Sequence, residues 1–146
     1  MKRNIFYRPM IPNVTDILFA GQVTSNGDVP VESLAIDPQA QHLGCFAGGM
    51  VALASKIFRN HNDLSIAKKL VEGCLWAYEA LPLGIMPEII HTVACEDHDY
   101  CPWNEQTWLD AVNASYEDWV PVQERIRSER LVAGLTKIDD RRYILR

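Results

Sequence analysis

Two stretches of the chain carry side chains with chemical capacity. The first is His91-x3-Cys95-x2-His98-x2-Cys101, whose residue types and spacing are of the kind that zinc accepts. Its intervening Glu96, Asp97 and Asp99 would crowd a thiolate centre with more negative charge, and Cys95 and Cys101 also stand close enough to pair with each other across the loop. The second stretch runs from residue 70 to 124 and holds 11 Asp or Glu and no Lys or Arg. A run this long without a cation repels itself unless something positive faces it. The 7 basic groups of residues 125–146, or a bound cation, would serve. The same stretch carries Trp76, Tyr78, Tyr100, Trp103, Trp108, Tyr116 and Trp119. Carboxylates accept sugar hydroxyl protons and rings lie against sugar C–H faces, so the mixture suits a carbohydrate. The plainer reading is a solvated acidic face, with many of the aromatic rings in the core.

The elements that position these residues are mostly helical. Residues 1–16 read as irregular, broken by Pro9 and Pro12. Ile17 to Thr24 reads as a strand, Asn26-Gly27 as a tight turn, and Val29 to Ile36 as the return strand, weakened by Pro30. His42 to Phe46 leads into a short apolar helix from Gly48 or Gly49 to Phe58. Asn62 or Asp63 then caps the clearest helix, about 64–80, where Leu64, Ala67, Leu70, Val71, Cys74, Leu75 and Tyr78 recur at helical spacing. Pro82 and Gly84 stop it. Leu83 to Thr92 is extended and Ala94 to Pro102 is an acidic loop. Helices follow over about 105–114 and 119–131, the second with Pro121 in its first turn. Ile138 to Leu145 reads as a small hairpin. The fold class is therefore mainly α with short β-hairpins.

Composition narrows the function. With 48% hydrophobic and 23% charged residues the chain can bury a core, so it is not disordered. The net charge of −5 argues against nucleic acid as a partner. The longest apolar run, Phe46 to Ile57, is too short to span a bilayer, and no apolar segment of signal-peptide type follows Met1-Lys2-Arg3. Cys74 lies on the apolar side of the best helix, where a buried thiol is a fair reading. Asn13-Val14-Thr15 and Asn113-Ala114-Ser115 are glycosylation sequons, and with paired cysteines they favour an oxidising compartment.

Several ordered motifs together resemble a known family. His42-Leu43-Gly44-Cys45-Phe46-Ala47-Gly48-Gly49 resembles the His-Leu-x-Cys-Phe-x-x-Gly motif of the class I α-mannosidases, glycoside hydrolase family 47. The helix with Gly73-Cys74 and Tyr78 is similar to the family's cysteine-containing helix. Pro82-Leu83-Gly84-Ile85-Met86-Pro87-Glu88 resembles its Gly-x-x-Pro-Glu segment, and Asp140 to Arg146 resembles the lead into Leu-Arg-Pro-Glu. The resemblance runs from about residue 30 to the end.

The resemblance implies an (α/α)7 barrel, of which residues 1–146 are a part, incomplete at both ends. It implies inverting hydrolysis of terminal α-1,2-linked mannose on high-mannose N-glycans in the secretory pathway, with Ca2+ at the pocket floor held by a ligand outside this chain. It implies a Cys45–Cys74 disulfide in place of the buried thiol, and sugar-binding roles for His42, Glu88 and Arg146. The catalytic carboxylates are expected upstream of Met1 and just beyond Arg146, so the chain alone is expected to be inactive. Helix faces without neighbours are expected to make it only marginally soluble. The other readings are a truncated non-catalytic or mannose-binding fragment, and a small zinc-binding interaction module built on His91, Cys95, His98 and Cys101.

Overall fold

A computed structural model describes residues 2–12, 16–28, 30, 33–97 and 100–139. Asn13, His98, Arg146 and most of the expected hairpin over 138–145 lie outside the described residues. The segment expected to be irregular holds one helical turn, α1 (Lys2–Ile5), and strand β1 (Phe6–Tyr7). The strand expected over 17–24 is divided at Gly21 into β2 (Phe19–Ala20) and β3 (Gln22–Val23). β2 pairs antiparallel with β1, whereas β3 pairs with β4 (Ile36–Asp37). Gly21 permits this crossing, because a Cβ there would sit 2.9 Å from the Asp37 carbonyl oxygen. The tight Asn26-Gly27 hairpin turn does not form: of the two residues only Gly27 has positive φ (+89°), the segment is a bend in which the Asp28 N–H donates to Asn26 Oδ1 over 3.1 Å, and residues 24–35 separate the paired ends of β3 and β4. Among the described residues the return strand contributes only Ile36 to the ladder, and the pairing described spans two residues on each side.

The principal sheet joins distant parts of the chain. Strands β5 (Gln39–Gln41), β6 (Ile89–Thr92) and β7 (Leu135–Asp139) lie in that order, all antiparallel. β6 comes from the segment read as extended, after a 3-10 turn over Pro82–Gly84 in which Leu83 has φ 68°. Its alternation puts Ile90 and Thr92 inward. Tyr7, Phe19, Ala40, Ala77, Leu81, Met86, Ile90 and Leu135 form the largest core cluster. Within it the Tyr7 hydroxyl donates to the Pro38 carbonyl at 3.0 Å and shares a hydrogen bond with Thr92 Oγ1 at 2.9 Å. Burial pushes the Tyr7 phenol well above its ordinary pKa, so it stays a neutral donor.

The helices follow the periodicity in extent more than in facing. A 3-10 turn over His42–Cys45 runs into α2 (Phe46–Ile57), which starts slightly earlier than expected. α3 (Asn62–Ala80) is the longest helix. Its cap position is His61, without a side-chain bond, so neither Asn62 nor Asp63 caps it. The expected apolar stripe also divides. Ala67, Leu70, Gly73 and Ala77 are buried, while Leu64, Val71 and Leu75 are exposed. Close approach explains this choice: a Cβ on Gly73 would fall on the Leu18 carbonyl, and Gly48 of α2 lies against Ala67 and Val71. Only small residues fit where backbones come this near.

α4 (Glu105–Ala114) matches expectation, with Asn104 Oδ1 accepting from the Thr107 N–H at 3.1 Å. α5 (Val122–Ser128) is shorter than the expected 119–131. Pro121 precedes it, Trp119 is 92% exposed, and Arg130 ends the turn at φ 53°. Among the described residues the fold combines helices with small antiparallel sheets, the helices holding more of the chain than the strands. Among the described residues no helix is long and apolar enough to cross a membrane.

Candidate functional site

His42 and Glu88, from two separate motifs, meet at one end of the main sheet. β5 and β6 pair Gln41 with Ile89. The next residue outward on β5 and the residue before β6 are therefore neighbours, and the His42 N–H donates to the Glu88 carbonyl over 2.8 Å. Both residues are exposed. The ladder extends by one hydrogen bond because Pro87 and the 3-10 turn at His42 end the strands at the same level.

The His42 ring has its own partner. Its Nε2 lies 2.6 Å from the Tyr78 hydroxyl of α3, with ring centroids 5.9 Å apart at 73°. Cys45, one 3-10 turn after His42, is bonded to Cys74, one α-helical turn before Tyr78. The bridge spans a Cα–Cα distance of 5.7 Å, and Met86 Sδ lies 3.9 Å from Cys45 Sγ. Beneath the turn the space between Phe19, Gly44, Cys74 and Met86 is only about 10 Å³, room for one water at most. The turn is therefore seated on a packed floor. Tyr78 as the partner of His42 is the feature that sequence reasoning missed. The signal was present in the spacing: His-x-x-Cys fits a 3-10 turn and Cys-x3-Tyr fits one face of an α-helix.

The other candidates are dispersed. Cys95 and Cys101 are joined to each other, Cα–Cα 5.8 Å. Neither is then available as a thiolate, which removes the zinc reading that needed both. His91 instead faces Asp139 Oδ2 at 3.0 Å. Asn113 is exposed in the last turn of α4. The acidic and aromatic stretch does not converge on one pocket. Trp108 is buried and donates its indole N–H to the Leu135 carbonyl, with Trp103 packed 5.5 Å away. Tyr116 lies under the Arg125 guanidinium, 4.1 Å from the ring centre. Burial, with Glu129 adding, pushes the Tyr116 phenol up to about 12. Arg125 also supplies the cation that the acidic run needs: it bonds Asp118 at 2.6 Å and holds that carboxyl below its usual range. An open groove of about 300 Å³ between Pro12, Trp76, Glu79 and Val132 is lined by neither His42 nor Glu88.

Calcium takes six to eight oxygen ligands. Among the described residues no three or more His, Cys, Asp or Glu gather at one point. These residues do not fit a calcium centre. What the His42–Glu88 corner offers is a donor and an acceptor, both open to solvent, on a rigid base. The sequence model described as glycosyl hydrolase family 47 matches residues 1–146. No curated protein matches the chain.

Proposed function

The chain belongs to glycosyl hydrolase family 47, and from that premise we propose that it forms part of the pocket wall of an α-1,2-mannosidase. It is one section of an (α/α)7 barrel that releases terminal mannose from high-mannose N-glycans by inversion, within the lumen of the secretory pathway. An inverting glycosidase needs an acid and a base separated by room for a water. The resemblance assigns both to segments other than the motifs matched here, and it assigns the calcium ligand elsewhere too. This chain's own contribution is then to bind and orient the sugar. His42 and Glu88 hold hydroxyls, with Arg146 as a further contact. Two disulfides suit an oxidising lumen.

The observation that supports this reading most is the 2.8 Å hydrogen bond that puts His42 beside Glu88. Two motifs 46 positions apart bring their polar residues to one exposed corner. A carboxylate accepting hydroxyl protons there makes the stronger, charge-assisted kind of hydrogen bond. The test is titration of α-1,2-mannobiose into the 146-residue chain, followed by NMR and by an assay for free mannose. Shifts centred on His42 and Glu88, without mannose release, are expected. Release of mannose would place the catalytic pair within the chain, and shifts centred on the Trp76–Glu79 groove would move the sugar site.

A further inference from the structure

We propose that Tyr78 is a positioning residue, which fixes the tautomer and tilt of the His42 ring. The inference deepens the reading of His42 as a sugar contact and rests on it for its functional meaning, though not for its geometry.

Two cross-links join the same pair of elements. On the 3-10 turn, His42 and Cys45 are three residues apart and share a side. On α3, Cys74 and Tyr78 are four apart and share a face. The disulfide ties one pair and a 2.6 Å hydrogen bond ties the other. The covalent link sets the distance between turn and helix. The hydrogen bond then acts on the ring, because the His42 main chain is already held by the Glu88 carbonyl and by the packed floor under Gly44.

The chemistry gives the bond a direction. A phenol is a stronger acid than a neutral imidazole N–H, and an imidazole nitrogen is a better base than a phenol oxygen. Tyr78 therefore donates and Nε2 accepts. The ring proton is then confined to Nδ1, the less favoured site in a free imidazole. A ring in this state presents one fixed donor to a sugar hydroxyl, in place of two interchanging forms. The alternative role for Tyr78, plain packing, would leave the tautomer ratio that of free histidine.

Nitrogen-15 NMR of the histidine rings at pH 8 in the full chain reads the tautomer directly. A His42 signal set with the proton on Nδ1 is expected, and a free-imidazole mixture in the unaltered chain would overturn the proposal without any variant. In Tyr78→Phe the proton should redistribute toward Nε2. The α-1,2-mannobiose concentration for half-maximal His42 shift should also rise by roughly three- to tenfold, the worth of one hydrogen bond. An unchanged tautomer in that variant, with a lowered melting temperature alone, would leave Tyr78 a packing residue and sink the idea. If the tautomer responds but the disaccharide never shifts His42, the positioning stands and the sugar reading falls.

Discussion

At the scale of single residues, Asp139 is where Lys137 and His91 converge. Lys137 Nζ stands 3.1 Å from one carboxylate oxygen and His91 Nε2 3.0 Å from the other. Burial alone would raise this carboxyl's pKa, but the hydrogen bonds from Lys137 and His91, with their charges, outweigh it and hold it below the usual carboxylate range. A carboxyl depressed in the folded state adds stability above its unfolded pKa of about 3.9 and loses it as pH falls through the folded value. Thermal unfolding should therefore show a plateau above about pH 5 and a decline below about pH 4. Asp139→Asn should lower the plateau and flatten that decline. Identical pH curves for the two proteins would show the cluster to be inert. None of this was legible in the sequence, which offered His91 only as a metal ligand. Its partner lies 48 positions away and is selected by the register of β6 against β7.

At the scale of elements, α3 is fastened on two sides, and each fastening has a measurable cost of removal. The Cys45–Cys74 bridge closes 29 residues and the Cys95–Cys101 bridge only 6. Loop-closure entropy assigns them about 3.6 and about 2.2 kcal/mol respectively. Urea unfolding of Cys45→Ala/Cys74→Ala should show the larger loss, and Cys95→Ala/Cys101→Ala the smaller. On the other side Gly73 lets the Leu18 backbone come against the helix, with the Leu18 N–H donating to the Lys69 carbonyl at 3.1 Å. Gly73→Ala should cost about 1–3 kcal/mol by overpacking, despite alanine's better helix propensity. A stabilised variant in the same urea series would contradict the close contact.

The extents of α2, α3 and α4 could be read from apolar spacing, because each is at least ten residues long. The facing of α3 could not. Periodicity marks large apolar residues, whereas of the four residues buried here only Leu70 is large, beside Ala67, Gly73 and Ala77. The main sheet was equally hidden. Its strands are three to five residues long and are drawn from positions near 40, 90 and 137. The His42–Glu88 corner could be named from motif resemblance, but its geometry depends on that sheet.

At the scale of the whole molecule, the outer side of α2 is apolar. Phe46, Met50, Leu53 and Ile57 recur at alternating four- and three-residue steps, Phe46 being 77% exposed, and Lys56 is the helix's one charge. A helix apolar on nearly all sides belongs in an interior. In water such a stripe binds whatever apolar surface it meets. The purified chain should self-associate with rising concentration and enhance the fluorescence of an apolar dye. Met50→Glu with Leu53→Glu should cut that enhancement by about half or more and shift sedimentation toward monomer. Equal sedimentation of both forms would show that the stripe is already shielded. The order of synthesis adds a consequence of the sheet β5-β6-β7. Leu135 follows Thr92 by 43 positions, so a ribosome adding about 5–20 residues per second leaves β6 bare along one edge for roughly two to nine seconds. Ile90, wholly buried in the finished chain, spends that interval as an open template for a neighbouring nascent strand.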